Sequence, residues 1–472
     1  IEDWDPWAYA SSGIFQEFDM ALITRITDGL VEQVDTLDYW LELMEKRRTT
    51  RWYIFFEDIY QALEHAITVV RLKQAWETSF AKGDAHVLVN AYTQRYYLMD
   101  QAYRKFYLAY DRVKNPELLK GVRDRVEGIY VNWFMQGLGM AWSDRIEQEL
   151  SEGQRLDSRV DQQHMFFAGI KPHLARDGRV FVIMSDALRY EAGVELAKRL
   201  QSEFSGETEI RPMQGVLPSI TSLGMAALLP HEALTIGTGG TGIINGQATE
   251  GLQRRQAILT ESGYASKAIL LRDIMAMTTD EMRSALDGLK LIYIYQDRID
   301  DAGHHRNESD VFRAVEDTIN EIVDVVRALR NKVGATNIYI TADHGFVYTR
   351  DVLGESDKLA ALSGSIHYMD RRYGLAKSPV SDDGVVSIKL RHPSTEGDDL
   401  YLVAPRSYIR FKKHGPGLNF VHGGPSLQEM VIPKIWHRND KAGKHTVSKV
   451  NLELRASAHR ITNRVFTLEF LQ

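Results

Sequence analysis

A chain of 472 residues is longer than one hydrophobic core usually serves, so two or three domains are expected. Its apolar content of 44% and charged content of 26% are those of a folded soluble protein. The net charge of −7 supplies no global attraction to nucleic acid or anionic membrane, and the absence of cysteine excludes disulfides, thiolate zinc sites and cysteine nucleophiles.

A cytoplasmic setting fits the lack of cysteine. No apolar run reaches membrane-spanning length, so no membrane contact is expected. The sequence opens at Ile1 without methionine and stops inside RVFTLEFLQ, an alternating run whose strand partners are expected further on, so the chain reads as a fragment.

Between Trp7 and Lys171 the only proline is Pro116, and little else there would break a helix. FQEFDMALITRITDGLVEQV, WYIFFEDIYQALEHAITVVRLKQAW and ELLKGVRDRVEGIYVNWFMQGLGMAW repeat apolar residues at helical spacing. Residues 1–165 therefore read as a helical domain. The stretch YTQRYYLMDQAYRKFYLAYDR suits a helical core better than an interface.

From Arg179 the texture changes to β-rich runs followed by turns and helical stretches. RVFVIMSDA precedes RYEAGVELAKRLQ, TEIRPMQGV precedes LPSITSLGMAALL, KLIYIYQDRID precedes VFRAVEDTINEIVDVVRALR, and NIYIT precedes ADHGFVYT. Such alternation predicts an α/β domain over 166–440 with a parallel sheet covered on both faces, and ligands then bind beyond the carboxyl ends of the strands. Residues 351–415 lose the rhythm and read as an irregular insertion capping a site. SKVNLELRA and RVFTLEFLQ alternate apolar and polar residues, so 441–472 reads as the start of a β-domain.

Polar groups gather at the expected strand ends: Asp186, Thr221, Asp300 with His304, Asp343 with His344, and His422. Singly, each has a plainer role: Asp186 and Thr221 as helix caps, Asp300 and Asp301 as turn residues, His422 as a loop histidine beside two glycines. Together at one sheet edge they suit divalent cations, because carboxylates and imidazoles without thiols are donors for zinc, manganese and harder ions. Gly345 would let the backbone turn away after the Asp–His pair.

The segments SDALRYE, LPSITSLGMAALLP, IYIYQDRIDDAGH, TADHGF and FVHGGPSLQEMVIP, spread over 179–435, resemble the PglZ branch of the alkaline phosphatase superfamily. The whole chain is similar to the phosphatase-like component of type 1 BREX phage-defence systems. That resemblance implies an alkaline-phosphatase-like mixed-order sheet sandwiched by helices, and a site holding two divalent ions, with Zn²⁺ ahead of Mn²⁺ or Mg²⁺. Asp300, His304 and His422 match the ligands of one ion, Asp186, Asp343 and His344 those of the other, and Thr221 the bridging nucleophile. Relatives in this branch often carry Asp at the place of His304. His305 and Asp301 match no ligand.

Arg189 is a candidate for facing the phosphate, with a surface salt bridge as the alternative. Arg371, Arg372, Arg406, Arg410, Lys412, Lys413 and His414 interleave with Tyr373, Tyr408 and Phe411, a pattern that suits a nucleic-acid backbone and its bases and equally a solvated basic loop. The expected function is metal-dependent phosphoesterase, as a phosphodiesterase or nuclease acting on DNA beside other BREX proteins. The alternatives are a phosphomonoesterase and a non-catalytic assembly subunit. Sulfate transfer is disfavoured, since the superfamily's sulfatases use a modified cysteine or serine.

Overall fold

The computed structural model describes residues 4–33, 36–76, 80, 81, 83–150, 156, 160–175, 178–304, 308–360, 362, 366–413, 419–439, 453, 454, 470 and 471. The chain divides into two compact units, one formed by Ile1–Thr78, Leu98–Asn132 and Gly443–Gln472 and the other by Ser79–Tyr97 and Trp133–Ala442.

The first unit is helical, with α1 (Glu17–Val31), α2 (Leu37–Arg48), α3 (Tyr53–Ala75), α4 (Tyr97–Tyr110) and α5 (Lys120–Glu127). Its core buries Leu22, Ile23 and Ile26 of α1 with Leu63, Ile67 and Val70 of α3, the periodic positions of the sequence. Inside that core Arg47 and Asp19 form a fully buried ion pair. Arg47 Nε and Tyr60 OH each donate to Asp19 Oδ1 at 2.8 Å, and Arg47 also donates to the Ala10 carbonyl at 3.2 Å. Such a pair is tolerated only when its remaining donors and acceptors are satisfied. The aromatics of α4 are core residues as expected: Tyr103 stacks on Tyr130 with centroids 3.6 Å apart, and Tyr103 and Tyr107 donate to Glu127 at 2.9 and 2.7 Å. The run 117–142, read as helical from its spacing, consists of a 3₁₀ turn, α5, a π-helical stretch over Gly128–Met135, and α6 (Gln136–Leu150), the last of which belongs to the second unit.

The second unit is built on a seven-stranded sheet. Its strands are β1 (Asp161–Gln162), β2 (Val180–Ser185), β3 (Gly206–Gln214), β4 (Ser266–Leu270), β5 (Leu291–Gln296), β6 (Asn337–Thr341) and β7 (Val431–Asn439). They lie in the order β1-β3-β7-β6-β2-β5-β4. Every residue of β2 and β5 is buried, as strands covered on both faces require. Helices α7 (Tyr190–Glu203), α8 (Thr221–Leu228), α9 (Arg298–His304) and α10 (Val311–Val333) follow the strands read from the sequence.

The sheet is mixed, which corrects the expectation of a parallel one. β7 runs antiparallel between β3 and β6, while the other neighbours are parallel. Its segment VIPKIWHRN hides from a pattern search because proline and charged residues argue against a central strand, yet Pro433 sits directly opposite Pro212 of β3. Register places the ends of β2, β5 and β6 level, with Ser185 opposite Gln296 and Met184 opposite Thr341. Whatever follows those three strands therefore emerges at one edge.

The insertion is also more ordered than expected. Ile366–Met369, Gly374–Ala376, Val385–Lys389 and Tyr401–Pro405 form a four-stranded antiparallel sheet over a small core of Ala376, Val385, Val403 and Phe411. The β-domain expected over 441–472 lies outside the described residues, apart from a short antiparallel pair of Glu453–Leu454 with Phe470–Leu471. Among the described residues no helix is long and apolar enough to cross a membrane.

Candidate metal centre

Asp186 follows β2 directly, its N–H donating to the Gln296 carbonyl of β5 at 2.8 Å. The chain then reverses through Ala187, whose φ of 61° lies in the left-handed region. That conformation costs about 1 kcal/mol in a residue with a Cβ, and it turns the Ala187 N–H onto Asp343 Oδ1 at 3.1 Å. The same oxygen accepts the His344 N–H at 2.9 Å, leaving Oδ2 free to face the site.

His344 is fully buried, and its Nδ1 lies 2.9 Å from the Gly345 carbonyl. Only a protonated Nδ1 can bond a carbonyl, so the Nε2 lone pair points inward. It meets Thr221 Oγ1 at 3.1 Å, Asp343 Oδ2 at 3.4 Å and Asp186 Oδ1 at 3.6 Å. Burial, then the neighbouring His422, pushes the His344 pKa down to about 3, so the ring is neutral.

Thr221 is the first residue of α8, whose Gly224 lies so close to Asp343 that a Cβ there would strike the Asp343 carbonyl oxygen. On α9, Asp300 and His304 are four residues apart and share a face, with Asp300 Oδ1 3.3 Å from His304 Nε2. His422 Nε2 reaches the same oxygen at 3.5 Å, while its Nδ1 is 3.2 Å from the Ser219 carbonyl. The rings of His422 and His344 stack with centroids 4.0 Å apart.

These atoms form two overlapping groups, Asp186 with Asp343 and His344, and Asp300 with His344 and His422; within each group the donor atoms lie within 4.8 Å of one another. His304 stands at the rim, about half exposed at 55%. Burial first, then the charges of Asp343 and Asp300, raises the Asp186 pKa well above the carboxylate range. Burial raises Asp343 to about 7 in spite of its N–H donors. Asp300 is held down at about 2, because contacts with His304, His422 and His344 outweigh its burial.

A cation fits this arrangement. Asp186 Oδ1 and Asp343 Oδ2 are buried and accept no hydrogen bond from the described residues, and buried Asp300 Oδ1 is approached by the imidazole nitrogens of His304 and His422 at 3.3 and 3.5 Å. Buried carboxylate oxygens carry a desolvation cost of several kcal/mol unless something positive meets them. The imidazole and carboxylate donors are those that divalent ions of zinc or manganese type accept.

Other expected residues fall elsewhere. Arg189 is only 1% exposed and lies 5.1 Å over the Phe346 ring, so the surface salt bridge is excluded. The reason for Gly345 is close approach, since a Cβ would strike the Gln428 carbonyl oxygen. Asp301 lies outside both groups and lines a separate cavity of about 470 Å³, and His305 is outside the described residues.

The residues of the basic stretch are largely engaged in contacts within the chain. Arg372 and Arg410 are buried and donate to backbone carbonyls, Arg372 also binding Glu429. Arg406 pairs with Asp144 and Glu147, Lys412 with Glu355, and Lys413 with Asp370. Arg371 is partly buried, and its N–H donates to Asp370. Tyr373, Tyr408 and Phe411 are buried in the insertion's packing, so their faces are closed to bases. His414 lies outside the described residues.

Sequence reading missed Ser219, Gln163 and Glu429. Ser219 Oγ donates to the Gly424 carbonyl at 2.6 Å and accepts the Gly423 N–H at 3.2 Å, tying the loop before Thr221 to the turn after His422. Its place in the pattern P-S-x-T was the available signal.

Residues 165–436 match the family described as the BREX system PglZ alkaline phosphatase-like domain. The chain is 37% identical over 468 residues to the alkaline phosphatase-like protein PglZ of Bacillus cereus (strain H3081.97), covering 98% of this chain and 55% of that protein. It is 31% identical over 432 residues to the alkaline phosphatase-like protein BrxZ of Escherichia coli O9:H4 (strain HS), covering 88% of this chain and 50% of that one. The chain thus spans about half the length of these relatives. Among solved structures, murine ectonucleotide pyrophosphatase/phosphodiesterase 5 aligns with a TM-score of 0.39 at 10% identity, over 56% of this chain and 88% of that one. The chain belongs to the PglZ family of BREX systems, whose domain is alkaline phosphatase-like.

Proposed function

We propose that the protein is a metal-dependent phosphoric ester hydrolase with Thr221 as nucleophile and a phosphodiester, DNA included, as its substrate class. The observation that carries this reading is the convergence of Thr221 Oγ1 and His344 with buried carboxylate oxygens, Asp186 Oδ1 and Asp343 Oδ2 on one side, which lack hydrogen-bond donors among the described residues, and Asp300 Oδ1 with His422 on the other. Asp186, Asp343 and His344 would hold one divalent ion, Asp300, His304 and His422 the second, with Zn²⁺ the first choice. Bound there, the ions supply Lewis acidity that lowers the hydroxyl pKa and steadies charge on a leaving oxygen.

The chain's own groups do the rest. In the metal-free protein the Nε2 lone pair of neutral His344 faces Thr221 Oγ1, a lone pair that would turn to the ion once bound, and the N-terminus of α8 favours negative charge on Thr221 Oγ1. Thr221 Oγ gives its proton to solvent water and bonds to phosphorus as the bond to the leaving alcohol breaks, and the alcohol oxygen takes a proton back from solvent. Water then cleaves the phosphothreonine, restoring the hydroxyl and releasing phosphate or a monoester. The preference for a diester rests on the family's defence setting, because the paired basic residues of the insertion give it no support. Domains at 1–165, 166–440 and 441–472, other BREX proteins as partners, and a cytoplasmic location belong to the same proposal.

Purified protein with Zn²⁺ or Mn²⁺ should cleave a chromogenic phosphodiester or plasmid DNA faster than a phosphomonoester. Thr221→Ala should lower the rate at least a hundredfold, on the order expected when a nucleophile is removed. A Thr221→Ala protein as fast as the parent would sink the nucleophile assignment, and a faster monoester would reverse the substrate class.

A further inference from the structure

The two halves of the ligand set are held from outside by buried polar side chains that share no partner. On the Asp343 side is Gln163, in the turn after β1 and fully buried. Its amide nitrogen donates to the carbonyls of Asp343 at 2.7 Å and Ala342 at 3.2 Å, and its amide oxygen accepts the Val216 N–H at 2.9 Å. One side chain thus joins the Asp343–His344 turn to the loop that leads into Thr221.

On the His422 side is the pair of Arg372 and Glu429, both almost wholly buried. Glu429 accepts the N–H groups of Gly424 at 2.8 Å and Ser426 at 3.1 Å, fixing the turn that carries His422. Arg372 Nε lies 3.2 Å from Glu429 Oε2. The rest of its guanidinium donates to Pro405 at 3.2 Å, Ile409 at 2.8 Å and the Ser407 carbonyl. The insertion thereby grips the His422 turn through one arginine. A neutral isostere of Glu429 would leave that arginine buried without a counter-charge, so neither residue is replaceable alone.

We propose that Gln163 and the Arg372–Glu429 pair are separate positioning clamps, each setting one half of the centre. This rests on the metal reading above for its binding consequence, whereas its consequence for backbone order does not. Groups that orient ligands from behind typically change metal affinity ten- to a hundredfold when removed. The two clamps differ in which half of the set should loosen.

The test uses the full chain with Gln163→Met, Arg372→Lys, and the charge-neutral double variant Arg372→Met/Glu429→Gln in case the lysine protein fails to fold. Zn²⁺ affinity is measured by chelator competition, and amide exchange is followed in metal-free protein. Arg372→Lys should weaken one binding event about ten- to a hundredfold and do nothing further in a His422→Ala background. Gln163→Met should weaken the other and do nothing further in Asp343→Ala. Amide exchange should rise at Gly424 and Ser426 in the first variant with Val216 unchanged, and at Val216 alone in the second. Equal weakening of both events, or exchange rising at all three amides in either variant, overturns separate clamps. Unchanged affinity and exchange overturns clamping altogether. A parent that takes up no Zn²⁺ refutes the metal reading instead, and amide exchange then decides the clamps.

Discussion

At the residue scale Ala187 shows how the site trades local strain for orientation. Its left-handed φ of 61° aims an N–H at Asp343 Oδ1, and its side chain is fully buried. Glycine there would relieve about 1 kcal/mol of strain but remove a buried methyl worth about 0.8 kcal/mol. The two nearly cancel, so Ala187→Gly should leave stability within about 0.5 kcal/mol of the parent. Ala187→Val adds both crowding and a β-branched side chain in that region, and should cost at least about 2 kcal/mol. Urea unfolding of the metal-free proteins measures both; a valine variant as stable as the glycine one would show that the turn is not constrained. Asp186, Asp343 and His344 were legible in the sequence because a strand end is a definite place. Gln163, Ser219 and Glu429 were not, because they act on backbone groups far away in the chain, and such bonds leave no spacing to read.

At the element scale, helices followed from periodicity, while β7 and the insertion's strands did not. A 3.6-residue pattern survives charged residues on its outer face, but β7 combines Pro433 with charged residues and still occupies the middle of the sheet. The intramolecular partners of the insertion's basic residues were not legible either, because sequence does not say which carboxylates fold back to meet them. In the helical unit a comparable hidden partnership ties α1, α2 and α3 through Asp19, Arg47 and Tyr60. Asp19→Ala would strand the Arg47 charge in the core and should destabilise that unit by about 3–5 kcal/mol. Asp19→Asn keeps an acceptor and should cost less. Denaturant unfolding followed by far-ultraviolet circular dichroism should separate the two, and equal small losses would mean that Arg47 escapes to solvent.

At the scale of the whole molecule, buried titratable groups pull the pH dependence of stability in opposite directions. Metal-free Asp343 has its folded pKa raised to about 7, so its contribution is present at low pH and lost as pH rises. His392 acts the other way. Burial first, then the electrostatic influence of His164, His231 and Arg391, lowers its pKa from 6.5 to about 4. Between those values the unfolded chain binds a proton that the folded one refuses, so stability falls as pH drops from about 6.5 toward 4. Integrated from pH 7 to pH 5, that shift amounts to about 2 kcal/mol at about 1.4 kcal/mol per unit. The opposing carboxylates are common to parent and variant, so the difference between the parent and His392→Gln isolates the histidine. Relative to the parent, His392→Gln should gain about 2 kcal/mol on acidification from pH 7 to pH 5, read from denaturant midpoints at each pH. A difference that does not change with pH would mean that water reaches the His392 ring and keeps its pKa near that of a free imidazole.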